Sequence, residues 1–175
     1  GMPVPGWHAR VQDENGQPVP DGQPGLLAVR GPVGCRYLTD PRQRVYVRDG
    51  WNVTGDTYVR ESDGYFRYVA RADDMIISAG YNIAGPEVEE ALLRHPDVRE
   101  AAVIGVPDDE RGQIVRAFVV LHDDAEPGER MAGALRDFTK KVIVPYKAPR
   151  DIRFLPSLPR TPTGKLQRFR LRDLE

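Results

Sequence analysis

The stretch Pro159-Arg160-Thr161-Pro162-Thr163-Gly164-Lys165-Leu166 carries a lysine on a turn stiffened by two prolines. Such an ammonium can deliver positive charge to a phosphate or a carboxylate. Its Thr-Gly-Lys is only superficially like a phosphate-binding P-loop. That loop needs glycine five residues before Gly164, where Pro159 stands, and Ser or Thr after the lysine, where Leu166 stands. The plainer alternative is an exposed turn lysine. A second candidate is Thr54-Gly55-Asp56, a carboxylate just after a glycine. A carboxylate can accept two hydroxyl hydrogens, as recognition of a ribose diol requires. The alternative is an Asx turn that caps a loop.

Two further stretches concern movement and approach more than bond-making. Arg71-Ala72-Asp73-Asp74 sits where the composition changes and can serve as an interdomain hinge, or simply as a solvated charge run at a strand end. Ser78-Ala79-Gly80-Tyr81-Asn82-Ile83-Ala84-Gly85-Pro86-Glu87 has glycines towards both ends, so a ligand or another chain can approach its backbone closely. It reads equally well as a tight strand-turn-strand before a helix. Gln167-Arg168-Phe169-Arg170-Leu171-Arg172 places basic residues at alternate positions, either to attract a phosphate or as a solvated helix or tail. His8, His95 and His122 lack metal-site spacing and are read as structural, so no metal ligands are assigned. Cys35 has no histidine nearby in sequence and is not read as a nucleophile.

Composition narrows the class. The 175 residues allow one domain, or one domain with a piece of another. Lys and Arg number 25 against 26 Asp and Glu, which excludes a uniformly basic nucleic-acid binder. No apolar run of about 18 residues exists to span a bilayer. The single cysteine excludes an intramolecular disulfide and a cysteine-rich zinc cluster. The opening Gly1-Met2-Pro3-Val4-Pro5-Gly6 has no targeting signal. It reads as a start inside a longer protein, or as a glycine added before Met2, and the expected location is cytoplasmic.

The elements that must carry these residues fall into two halves. Residues 1–72 read as turns and short strands: Trp7–Val11, Leu26–Arg30 and Tyr65–Val69. Residues 73–175 mix helix and strand. Met75-Ile76-Ile77 reads as a short buried strand. Gly85-Pro86 opens a helix with Glu87, Glu89 and Glu90 in its first turn, and His95-Pro96 ends it. Val98–Val106 and Ile114–Leu121 are apolar strands. A second helix is predicted over Glu129–Val144 with Met131, Leu135, Phe138 and Val142 as its buried stripe, followed by a strand at Ile152–Leu155. The fold class is α+β, a small β subdomain followed by a compact mixed α/β lid domain.

Taken in order, Trp51–Asp56, Gly64-Tyr65-Phe66, Arg71–Ile76, Gly80–Ile83, Pro86–Glu89 and Pro159–Lys165 strongly resemble the adenylate-forming superfamily. That superfamily contains acyl-CoA synthetases, peptide-synthetase adenylation domains and luciferases. Val47–Trp51 and Ile77–Glu87 carry a narrower likeness to benzoate and 2-aminobenzoate CoA ligases. The resemblance implies that Asp56 and Arg71 bind the ribose of ATP or AMP. It implies that Asp73 is the hinge of a rotating C-terminal lid, and that Gly80 and Tyr81 line the pantetheine tunnel of CoA. Lys165 would be the catalytic lysine, on the acyl carboxylate and α-phosphate during adenylation.

The same family uses a phosphate loop ending in Pro-Lys and an aromatic-Gly-x-Thr-Glu segment for adenine and magnesium. Neither occurs here, and the acyl pocket belongs to the same absent region. The expectation is therefore the last third of an ATP-dependent acid–CoA ligase, with an aromatic acid, ATP, CoA and Mg as substrates and cofactor. The Mg ligands would lie outside this chain, in the N-terminal part of the same protein. The alternatives are the tail of an adenylation domain that serves a carrier protein, or a non-catalytic module that binds CoA or a protein.

Overall fold

The computed structural model describes residues 1–32, 34 and 39–174, so the reading of Cys35 lies outside the described residues. The chain divides into two compact units, Gly1–Asp73 and Asp74–Glu175. Among the described residues no helix is long and apolar enough to cross a membrane.

The first unit is an antiparallel sheet of β1 (His8–Gln12), β2 (Pro24–Arg30), β3 (Val47–Arg48), β4 (Trp51–Arg60) and β5 (Phe66–Arg71). A short helix α1 (Arg42–Tyr46) precedes β3. β4 is the central strand. β2 runs along one edge of it, and β3 and β5 share the other edge in succession. Val11, Ala28, Val53, Val59 and Ala70 are its buried apolar residues. Asp49-Gly50 makes a two-residue hairpin turn between β3 and β4, with φ of 51° and 74°. Positive φ at both positions matches the right-handed twist of the strands. Arg30 donates to the carbonyls of both turn residues and, with Arg10, brackets the ring of Trp51 at 4.6 and 4.3 Å.

Thr54-Gly55-Asp56 lies inside β4 and does not cap a loop, so the Asx-turn alternative does not hold. Leu26 pairs with Thr57 and Ala28 with Val53, so Leu27 alone faces three residues of β4. The extra residues form a bulge. Gly55, at φ 78°, takes the left-handed conformation that glycine alone adopts cheaply. Thr54 Oγ1 donates to the Leu27 carbonyl and accepts from the Asp56 amide, so the bulge leaves these groups satisfied.

The second unit is built on a three-stranded sheet: β8 (Val98–Asp108) antiparallel to β9 (Gly112–Leu121), and β10 (Asp151–Phe154) parallel to β9. A separate hairpin, β6 (Met75–Ser78) and β7 (Tyr81–Ala84), leads into helix α2 (Gly85–Leu93). Helix α3 (Glu129–Val142) and the short α4 (Arg168–Arg172) complete it. Both faces of the sheet are covered, which explains the near-continuous apolar runs of β8 and β9. Val103, Val115, Ala117 and Val119 point to one face and pack with Ile76, Ile83, Val88, Leu92 and Leu135. Ala102, Ile104, Phe118 and Val120 point to the other and pack with Leu158 and Leu171.

Helix α3 forms where its periodicity predicts, but two residues shorter and with a rotated stripe. Its buried residues are Ala132, Leu135 and Thr139, while Met131, Phe138 and Val142 are half-buried at the flanks. Ala132 and Leu135 join the core beneath the helix, and Thr139 satisfies its hydroxyl on the Leu135 carbonyl at 2.7 Å.

Candidate functional site

Asp56 and Arg71 come together through strand pairing. They are direct partners across β4 and β5, beside the Gly55 bulge. The Arg71 guanidinium lies 3.9 Å from where a Cβ on Gly55 would stand. Its Nε donates to Asp73 Oδ1 at 3.1 Å. Asp56 is half-buried, whereas Arg71 and Asp73 are exposed. One edge thus presents a guanidinium among carboxylates, a set that can accept from a diol and donate to its oxygens.

In the second unit, Ser78 pairs with Tyr81, which makes Ala79-Gly80 another two-residue turn, at φ 49° and 82°. The Ala79 amide donates to the Arg111 carbonyl at 2.9 Å, and Gln113 Oε1 accepts from the Ile77 amide at 3.0 Å. These bonds pin the hairpin to the β8–β9 connection. A Cβ on Gly80 would meet nothing within 4 Å, so that face of the turn is open. Tyr81 is 52% exposed and stacks on Tyr146, with centroids 4.4 Å apart. Next to it, the Lys147 ammonium donates to both oxygens of Glu87 at 2.7 Å.

Lys165 ends a tightly closed turn. The Thr161 amide donates to the Lys165 carbonyl at 2.8 Å, the Lys165 amide to Thr161 Oγ1 at 3.0 Å, and the Gly164 amide to the Thr161 carbonyl at 2.9 Å. Gly164, at φ 83°, allows the reversal. The lysine is exposed, and among the described residues its ammonium has no hydrogen-bond or ion-pair partner. Its backbone is therefore fixed while its charge is available.

Residues 87–165 match the family model described as the AMP-binding enzyme C-terminal domain. The matched span lies wholly within the second unit. The match begins in α2 and ends at Lys165, so most of the second unit's two-sided core falls inside it. Over the whole chain, the mitochondrial acyl-coenzyme A synthetase ACSM3 of Mus musculus is 39% identical across 184 residues, 100% of this chain and 32% of that protein. A sulfoacetate–CoA ligase of Cupriavidus necator is 43% identical over 95% of this chain and 33% of its own length. The solved benzoate CoA ligase of Burkholderia xenovorans LB400 is 42% identical with a TM-score of 0.83, covering 98% of this chain and 35% of that one. The chain spans about a third of the length of the relatives it matches. Its mixed α/β fold is that of the C-terminal portion of adenylate-forming enzymes.

Within the second unit the structure adds residues that the motifs did not single out. Tyr146 reaches Tyr81 from 65 positions downstream and Lys147 reaches Glu87 from 60, and no spacing rule links them. Arg168 and Arg172, read as a phosphate lure or a solvated tail, instead pair with Glu89 and Asp74. Leu171 between them is fully buried.

Proposed function

We propose that this chain is the C-terminal part of an ATP-dependent carboxylic acid–CoA ligase that activates its acid as the acyl-adenylate and then transfers the acyl group to the CoA thiol. The observation that carries the reading is Lys165: an unpartnered ammonium on a rigid turn, inside the span matched by the AMP-binding C-terminal domain. Adenylation brings a carboxylate up to a phosphate, both negative. A fixed cation between them offsets the repulsion and stabilises charge that develops at the pentacoordinate phosphorus. Asp56 and Arg71 would hold the ribose through the diol-binding edge described above. Asp73, whose carboxylate is engaged by Arg71, would be the pivot about which the lid rotates between the two half-reactions. The open face of Gly80, with Tyr81 beside it, would line the path of the pantetheine arm. Magnesium would be held by the N-terminal part of the same protein, as the family resemblance implies.

An aromatic acid is the favoured substrate class. The likeness of Val47–Trp51 and Ile77–Glu87 to benzoate-type ligases and the 42% identity to a benzoate CoA ligase support it. The decisive experiment supplies the whole enzyme with ATP, CoA and a panel of benzoates and aliphatic acids. AMP and pyrophosphate should form in step with an aryl-CoA, and residues 1–175 alone should release no pyrophosphate above background. An aliphatic-only profile would remove the aromatic assignment. Absence of any acyl-adenylate would remove the ligase reading.

A further inference from the structure

Arg160 precedes Lys165 by five residues and joins its turn to the sheet. Its Nη1 donates to the Gly164 carbonyl at 2.8 Å, on the peptide that leads into Lys165. Its Nη2 donates to Glu100 Oε2, on β8. Arg160 also forms an isolated bridge with Leu166, closing the base of the turn. The two arms of one guanidinium thus span from the lysine turn to a strand whose next residues, Ala102 and Ile104, are core. The turn makes no other charged contact with the sheet among the described residues.

We propose that Arg160, held by Glu100, is a positioning residue for adenylation. The proposal rests on the ligase reading of Lys165. Proline stiffening and the Thr161 bonds fix the shape of the turn, but not its attitude on the sheet. The turn lies between β10 and α4; Leu158 and Leu166 at its two ends pack on the core face that includes Ala102 and Ile104, and the guanidinium fork adds the one charged tie to β8 among the described residues. A lysine that must arrive at a carboxylate–phosphate pair tolerates little displacement, and an error of about 1 Å can cost about 10²-fold. The planar fork meets a carbonyl and a carboxylate at once. A lysine at position 160 offers a single ammonium and cannot hold both in the same geometry.

The test separates the half-reactions in the whole enzyme, with Lys165→Ala alongside. Arg160→Ala and Glu100→Ala should each lower kcat for acyl-adenylate formation by about 10–100-fold. KM for ATP and for the acid should stay within about twofold, because neither residue is placed against substrate. Thioester formation from synthetic acyl-AMP and CoA should be unchanged. Arg160→Lys should recover only part of the rate. The double variant should be no slower than Arg160→Ala, because the two residues act as one unit. Adenylation within twofold of wild type in both single variants, with Lys165→Ala impaired, would overturn the clamp while leaving the ligase reading intact. An equal fall in both half-reactions with a lowered Tm would make the pair merely structural and overturn it too. If Lys165→Ala itself adenylates normally, the reading of the lysine fails and the clamp falls with it.

Discussion

Glu89 holds Arg168 through both of its carboxylate oxygens, at 2.7 and 2.8 Å, across 79 positions of sequence. The same carboxylate accepts from the Val103 amide at 2.8 Å. One side chain of α2 thus anchors both the sheet and the C-terminal helix α4. Asp74 adds to the cluster through Arg168 and Arg172, at 4.0 and 3.4 Å. The acidic residue that suits a helix N-terminus in sequence terms also serves a tertiary bond.

Breaking that pair should cost more than removing it. With side chains 13% and 23% exposed, Glu89 and Arg168 are partly desolvated. Glu89→Ala leaves the Val103 amide without its partner and Arg168 with only the longer contact to Asp74, and should destabilise the second unit by about 2–3 kcal/mol. The double variant Glu89→Ala/Arg168→Met should recover part of that loss. Urea denaturation of both variants checks the order. A double variant less stable than the single one would contradict it.

Ala79 sits at φ 49° in the hairpin turn, a conformation that costs a non-glycine residue about 1 kcal/mol. Asparagine tolerates this conformation better and is favoured before glycine in such turns. Ala79→Asn should therefore raise stability by about 0.5–1 kcal/mol in urea denaturation. Gly80→Ala should lower it, because φ 82° strains any side chain even though the space is open.

Leu171 is fully buried in the second core face although its helix has only five residues. A helix this short has little intrinsic stability and persists through packing. Leu171→Ala should cost about 2–5 kcal/mol. Amide protection over Arg168–Arg172 should be lost ahead of that of β8 and β9, and hydrogen exchange would show it.

In the whole enzyme, Lys165→Ala should slow acyl-adenylate formation by about 10²–10³-fold, the usual effect of losing one preorganised donor. Thioester formation from preformed acyl-AMP should be nearly unaffected, because a lid rotating as proposed would have withdrawn the lysine by then. The comparison is pyrophosphate release against CoA consumption in separate assays. Normal adenylation would reduce Lys165 to an ordinary turn lysine.

Asp73 lies in a 3₁₀ turn, Ala72–Asp74. Proline fixes φ near −65°, compatible with that turn and not with a freely changing one. Asp73→Pro should damage the two half-reactions unequally, and equal losses would argue against a pivot there.

Local patterning was enough for the class of the fold. The apolar runs of β8 and β9, the Gly85-Pro86 start of α2 and the 3.6-residue rhythm of α3 are short-range signals. Strand and helix periodicity are set by which faces meet a core. The same signals misled wherever a partner from far away decided the outcome. Gly55 reads as a turn because glycine permits reversal, yet pairing with β2 and β5 on both edges turns it into a bulge within one long strand. The stripe of α3 keeps Leu135 but turns towards Ala132 and Thr139, leaving Met131 and Phe138 half-buried, because the surrounding core and not the helix's own rhythm sets which face is covered. The partners of the alternate arginines of α4 were not legible at all. Alternation describes spacing along the chain, while Glu89 and Asp74 reach Arg168 only after the sheet has brought residues some 80 to 100 positions apart within hydrogen-bond distance. The motifs marked the side chains on which the proposed chemistry rests. How Lys165 is presented, with Arg160 and Glu100 beneath its turn, was decided by tertiary structure, because that geometry depends on strands that sequence spacing does not connect.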